Sequence, residues 1–282
     1  LYLREFLESK KLSIDGDTAR QLISYVIEYK RTDRLSLFNN IIELDDGDIK
    51  HLEDISERLL KEEPLSYIIN KRYFFRDEFY VDENVMIPRF ETEILVEKLI
   101  RISADKNILE LGTGSGCIAI SCLKHSKANT FTSTDISEKA LNIASINADN
   151  LLDSQRIKDL YLICSDKFEG IKGKFDIIVS NPPYIDFKQY LKLDSSVRDY
   201  EPEKALTDNG DGLSYYNYIL NQCDRLLVKG GTILFEHGYD QRGQIMKFCE
   251  EKFNNVESIK DYSEHDRFIF ASDFVEIKNY LL

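Results

Sequence analysis

Asn107-Ile108-Leu109-Glu110-Leu111-Gly112-Thr113-Gly114-Ser115-Gly116 carries the strongest fold signal in the chain. An apolar run of strand length passes directly into glycines at alternate positions, and the helical pattern Cys117 to Leu123 follows. Such a turn lets a ligand approach the backbone closely, with the N–H groups of a helix start aimed at it. The third glycine of a dinucleotide-type G-x-G-x-x-G would fall at Cys117, whereas Gly116 makes the pattern G-x-G-x-G. With Glu110 before it, that pattern suits a cofactor lacking a pyrophosphate.

Downstream, strand and helix signals alternate as a doubly wound, mostly parallel sheet requires. Strands are predicted at Asn107 to Leu111, Thr130 to Thr134, Leu160 to Cys164, Phe175 to Ser180, Thr232 to Phe235, Val256 to Ile259 and Arg267 to Ala271. Helices are predicted at Cys117 to Leu123, Ser137 to Asn147, Gly212 to Leu227 and Gln241 to Phe253. The second strand ends at Asp135, some twenty residues past the glycines, where a carboxylate can accept hydrogen bonds from both hydroxyls of a ribose. Ile136 follows it. The third ends at Asp166 and Lys167, where an acid can meet an adenine amino group. An isolated Asp in such a loop is as readily a helix cap. Three features at successive strand ends point instead to a nucleoside cofactor.

The fourth strand delivers Asn181-Pro182-Pro183-Tyr184 to the same sheet edge. Two prolines hold φ near −65° and carry no N–H, which suits the Pro182 carbonyl to act as a fixed acceptor beside the Asn181 side-chain oxygen. Two acceptors match the two N–H bonds of a planar amide-type nitrogen, orienting it and drawing its delocalised lone pair toward a methyl donor. Tyr184 is expected to stack on the planar group. Asn181, Pro182 and Tyr184 are thus the candidate catalytic residues, and Asn181 to Tyr184 the candidate substrate loop. Asn181 also abuts the candidate cofactor set Glu110, Gly112 to Gly116, Asp135, Ile136, Asp166 and Lys167.

Toward the N-terminus the pattern differs. Residues 1–70 read as a small all-helical domain, with apolar positions at Leu3, Phe6 and Leu7, then Leu22, Ile23, Val26 and Ile27, then Leu52, Ile55 and Leu59. Asp15-Gly16-Asp17 and Asp45-Asp46-Gly47-Asp48 supply caps between them. Residues 71–90 read as a β-hairpin linker, with Tyr73, Phe75, Phe79 and Val81 alternating with polar positions. Residues 91–282 form the second domain.

Hydrophobic residues make up 43% and charged residues 31% of the 282, the balance of a globular protein with a core. No apolar run nears the roughly 18 residues that span a bilayer, and the start shows neither a basic leader nor a cleavage site, so a cytoplasmic location is expected. The five cysteines form no C-x-x-C pair and the four histidines are scattered, so no metal site is expected. The formal net charge of −13 disfavours broad nucleic-acid binding, which gains from counterion release on a polyanion. A monomer is expected.

At these residues the chain resembles the release factor glutamine methyltransferase family. The resemblance covers nearly its whole length: Pro64 to Ile68, Ile87-Pro88-Arg89 with Glu91-Thr92-Glu93, Gly112 to Ala119, Thr134 to Ser137, Phe175 to Ile185, Val197 to Pro202 and Gly230-Gly231. It implies a class I, Rossmann-like fold with a seven-stranded sheet and S-adenosylmethionine as cofactor. It also implies methylation of the glutamine amide in the Gly-Gly-Gln tripeptide of class I peptide chain release factors, held in part by the helical domain. Phe90 stands where the family often has Pro, His237 where it often has Ile, and Lys167 where an aromatic residue often lies near the adenine. An adenine-N6 DNA methyltransferase is the rival reading, because that exocyclic amine presents the same two donors once flipped out. The acidic charge and the acid-rich helical start oppose it.

Overall fold

The computed structural model of the chain describes residue 5, residues 15–31 and residues 42–275; the apolar positions Leu3, Phe6 and Leu7 lie outside them. Contacts divide the chain into two units, Leu1–Lys71 with Asp194–Tyr200, and Arg72–Leu193 with Glu201–Leu282. The hairpin therefore groups with the sheet, while a short stretch beyond the Asn-Pro-Pro-Tyr loop groups with the helices.

In the first unit, α1 (Gly16–Tyr29), α2 (Asp46–Leu60) and the single turn α3 (Leu65–Ile68) bury Leu22, Val26, Leu52, Ile55 and Leu65 together. The predicted caps form: the Asp15 carboxylate accepts from the N–H groups of Asp17 and Thr18, and Asp45 and Asp48 make a reciprocal capping box. Residues 194–200 join this unit through Ser195, whose hydroxyl donates to Glu62, and Tyr200, whose hydroxyl donates to the Lys61 carbonyl at 2.8 Å.

The second unit begins with a hairpin of β1 (Arg72–Phe74) and β2 (Asp77–Phe79). Phe75 sits in the turn at φ 55°, so the first strand is shorter than the alternation predicts. Phe74 is the buried side chain and Tyr73 is 64% exposed, while Phe79 and Val81 are buried as expected. Then come α4 (Thr92–Ile102), β3 (Asn107–Leu111), α5 (Cys117–His125), β4 (Thr130–Asp135), α6 (Glu138–Leu151), β5 (Leu160–Cys164) and β6 (Phe175–Ser180). After two single helical turns (Phe187–Tyr190 and Glu203–Leu206), α7 (Ser214–Leu226), β7 (Leu227–Glu236), α8 (Arg242–Glu250), β8 (Phe253–Lys260) and β9 (Asp266–Phe274) complete it.

The seven strands lie in the order β5-β4-β3-β6-β7-β9-β8, parallel except that β9 runs antiparallel to β7 and β8. Both faces of the central strands are covered. Leu109, Ile178, Ile233 and Phe235 point into one core with α7 and α8, while Ile108, Ile177, Val179 and Leu234 point into the other with α4 and α5. That two-sided burial is why β3 and β6 read as continuous apolar runs. β7 starts five residues earlier than the Thr232 the sequence suggests, because Gly230 at φ 75° and a register shift opposite β6 let the chain enter the sheet directly from α7. The last helix stops at Glu250 rather than Phe253, whose side chain is buried as the first residue of an edge strand. Among the described residues no helix is long and apolar enough to cross a membrane.

Candidate active site

The chain crosses from one half of the sheet to the other between β3 and β6, and ligands of open α/β sheets bind at such a reversal. Register makes the site a row. Leu111 pairs with Thr134 on one side and Ser180 on the other, and Ser180 pairs with Phe235. Gly112, Asp135, Asn181 and Glu236 therefore leave neighbouring strands at nearly the same level. A cavity of about 390 Å³ opens there.

Gly112 and Gly114, at φ 79° and 53°, form its floor. A β-carbon on either would project into open space, so these glycines leave the volume free for a ligand. The loop is held from behind: the N–H groups of Gly112 and Thr113 donate to the Thr134 carbonyl, and Gly114 N–H donates to Asp135 Oδ2 at 3.0 Å. The other oxygen of Asp135 accepts from Ser137 N–H, and burial still raises this carboxyl above its ordinary range.

Ile136, Asp166, Lys167, Asn181 and Pro183 also line the cavity, with Thr113 and Ser115. Lys167 reaches over the rings of Tyr215 and Tyr218, at 5.5 and 5.0 Å from their centroids. Tyr215 is itself a lining residue, which the periodicity of its helix did not mark.

Four of the expected residues are not on the wall. Gly116 packs against helices, since a β-carbon there would stand 2.8 Å from Ile120 Cδ1 and 3.2 Å from Ala144 Cβ. Glu110 lies wholly buried within β3, where it accepts from Ser133 Oγ at 2.7 Å and burial pushes its carboxyl up to about 7. Pro182 is buried and off the lining, so the structure does not bring the expected second acceptor to the cavity. Tyr184 packs on the core below α7, and its burial near Glu236 raises the phenol well above its ordinary value.

Several residues to which the sequence reading gave no site role hold these in place. The Asn181 side-chain nitrogen donates to Thr92 Oγ1 at 3.3 Å, and Thr92 donates to Glu236 Oε2 at 2.7 Å. In the sequence Thr92 stood only within the Glu91-Thr92-Glu93 stretch that carries the resemblance, with no role of its own. The Tyr184 carbonyl accepts from Gln241 Nε2 at 2.8 Å, while Gln241 Oε1 accepts from Gly238 N–H. Asn147, 1% exposed, exchanges both hydrogen bonds with the Tyr80 backbone and donates to the Ser115 carbonyl at 2.9 Å. It ties the segment after the hairpin to the glycine loop. Asn147→Ala takes the side-chain partner from one buried and two part-buried backbone groups and is expected to lower stability by about 2–4 kcal/mol, read as a fall in urea midpoint at unchanged m-value.

Residues 90–199 match the Methyltransferase small domain, and residues 2–69 match the PrmC N-terminal domain. The chain is 36% identical over 257 residues to the release factor glutamine methyltransferase of Clostridium acetobutylicum, across 89% of this chain and 88% of that one. It is 38% identical over 241 residues to the enzyme of that name from Lactococcus lactis, across 84% and 87%. The chain belongs to the release factor glutamine methyltransferase family. Against a relative named Bifunctional methyltransferase from Rickettsia prowazekii, 34% identical, the family match spans only 54% of that protein's length. Among solved structures, a methyltransferase from Pyrococcus furiosus superposes with a TM-score of 0.53 at 16% identity, over 70% of this chain and 89% of that one, a likeness of fold alone.

Proposed function

We propose that this enzyme transfers a methyl group from S-adenosylmethionine to the side-chain amide nitrogen of the glutamine in the Gly-Gly-Gln tripeptide of class I peptide chain release factors. The observation that carries the reading is the placement of Asn181 on the wall of a glycine-floored cavity, its amide nitrogen already engaged by Thr92. An anchored nitrogen leaves the side-chain oxygen as an acceptor for a substrate NH2 group.

The cleft fits a nucleoside cofactor. Gly112 and Gly114 admit it closely, Asp135 is the acceptor for ribose hydroxyls, and Asp166 and Lys167 border the adenine end. S-adenosylmethionine supplies an electrophilic methyl on a sulfonium sulfur. The chain's own part is to hold the amide nitrogen: Asn181 Oδ1 on the cavity wall accepts from its NH2 group, and Tyr184 buttresses the loop from the core side. Acceptance by this oxygen strengthens as the nitrogen turns pyramidal and its hydrogens become acidic, so it favours the transition state over the planar amide. No group with the strength of a general base is needed, because the proton is lost once the nitrogen is alkylated.

The helical domain of residues 1–70 holds the release factor, and the hairpin of residues 71–90 links it to the methyltransferase domain of residues 91–282. A translation-factor substrate supports a cytoplasmic location, and the net charge of −13 supports action without direct nucleic-acid contact; a monomer is the proposed state. The adenine-N6 reading is not favoured by the relatives the chain matches. In a competition between a release factor and duplex DNA with labelled cofactor, label is expected in the Gly-Gly-Gln glutamine, located by peptide mass spectrometry; methylated adenine with unmodified factor would overturn the assignment.

A further inference from the structure

We propose that Thr92 and Glu236 are positioning residues which fix the side-chain amide of Asn181 with its oxygen turned to the substrate nitrogen. The inference rests on the amide-methylation reading and follows from the polarity of a chain of two hydrogen bonds.

Asn181 can present either its oxygen or its NH2 group to the cavity, and only the oxygen accepts from a substrate amide. A Thr hydroxyl has one proton and can also accept. Thr92 Oγ1 lies 2.7 Å from Glu236 Oε2 and 3.3 Å from the Asn181 amide. An ionised carboxylate only accepts, so the Thr92 proton is committed to Glu236. Its oxygen must then accept from Asn181, which places Nδ2 toward Thr92 and Oδ1 toward the cavity. Protonated Glu236 can donate instead, the Thr92 hydroxyl is freed to turn toward Asn181, and the amide can reverse. Both supporting side chains are well shielded, at 2% exposure for Thr92 and 1% for Glu236, so water does not stand in for either.

The surroundings of Glu236 bear on its charge. Arg267 on β9 and Arg89 before α4 face it as cations, and Glu91 faces it as an anion. The Tyr184 and Tyr216 phenols and the Cys117 thiol also feel its charge; Tyr216 donates to its backbone carbonyl, and His237 adjoins it in sequence. Burial outweighs the Thr92 hydrogen bond and the two arginines, and holds the carboxyl near 7. The productive orientation is therefore enforced above neutrality and released below it.

The test is the pH dependence of kcat for methylation of a Gly-Gly-Gln release factor at saturating S-adenosylmethionine, compared between the wild type and Glu236→Gln, which retains Glu110 and so separates the two buried carboxyls that titrate near 7. In the wild type kcat is expected to rise about tenfold between pH 6 and pH 8, as a carboxyl titrating near 7 ionises. Glu236→Gln is expected to abolish that dependence and hold kcat near the low-pH value. Thr92→Val, which keeps shape and loses the hydroxyl, is expected to lower kcat about tenfold or more with the cofactor KM unchanged, while Thr92→Ser restores most of the rate. A flat wild-type profile, a Glu236→Gln variant that keeps the wild-type profile, or Thr92→Val at full rate overturns the proposal. The wild-type profile alone decides it if the valine variant does not fold. Absence of glutamine methylation at every pH in the wild type would instead overturn the reading on which it rests.

Discussion

Asn181→Ala is expected to lower kcat for the release factor by about a hundred- to a thousandfold, the range measured when one preorganised transition-state partner is removed from an active site. The reason is geometric. Asn181 follows Ser180, which pairs with Leu111 in the strand that carries the glycine turn, so its side chain enters the cavity beside the place a methyl donor would occupy. Alanine removes the acceptor and leaves Thr92 without the donor it accepts from. The glycine floor and Asp135 are held by their own bonds to β4 and α6, independent of Asn181. Affinity for S-adenosylmethionine, measured by calorimetry, should therefore stay within about threefold of wild type. A parallel collapse of cofactor affinity would show that Asn181 serves the donor rather than the acceptor.

Gly212→Ala is expected to be comparably damaging although residue 212 does not line the cavity. Gly212 has φ 76°, and a β-carbon there would stand 2.0 Å from the Tyr184 carbonyl oxygen and 2.7 Å from Gln241 Nε2. Left-handed backbone costs a non-glycine residue about 1–2 kcal/mol by itself. The clash is worse, because the obstructing atom is main chain and its only relief is to push the Asn-Pro-Pro-Tyr loop away and break its bond to Gln241. We expect a fall in kcat of at least about a hundredfold and a destabilisation of about 3 kcal/mol or more, read from thermal unfolding and from the rate at saturating cofactor. A variant that folds and turns over like the wild type would mean the loop is not pinned from behind.

Legibility differed sharply between the sheet and the site. β3, β5 and β6 lie at the residues their apolar runs predict, and the ends of β4 and α5 differ by one or two positions. β3 and β6 are buried on both faces, so composition alone marks them, whereas β5 is a half-exposed edge strand marked by its short apolar run. The hairpin was harder, because one turn residue in the left-handed region shifts the inward side chain from Tyr73 to Phe74. In the candidate site, the glycine turn, Asp135 and Asn181 were legible because each sits at the end of a strand or directly after it. Glu110 and Gly116 were read in the same motif but point into protein: one is a strand residue within the core, the other a contact point against α6.

What the sequence by itself determined is the set of strand ends and the chemistry each carries, since local apolar pattern sets where a strand stops and the next residues are then bound to its carboxyl edge. Only the tertiary structure decided what orients that chemistry. Thr92, Gly212, Glu236 and Gln241 come from segments far apart in the chain and meet behind one loop through parallel pairing of β3, β6 and β7 and the packing of α4 and α8. No periodicity records such a meeting, because a hydrogen bond between distant side chains depends on sheet order and register rather than on sequence spacing.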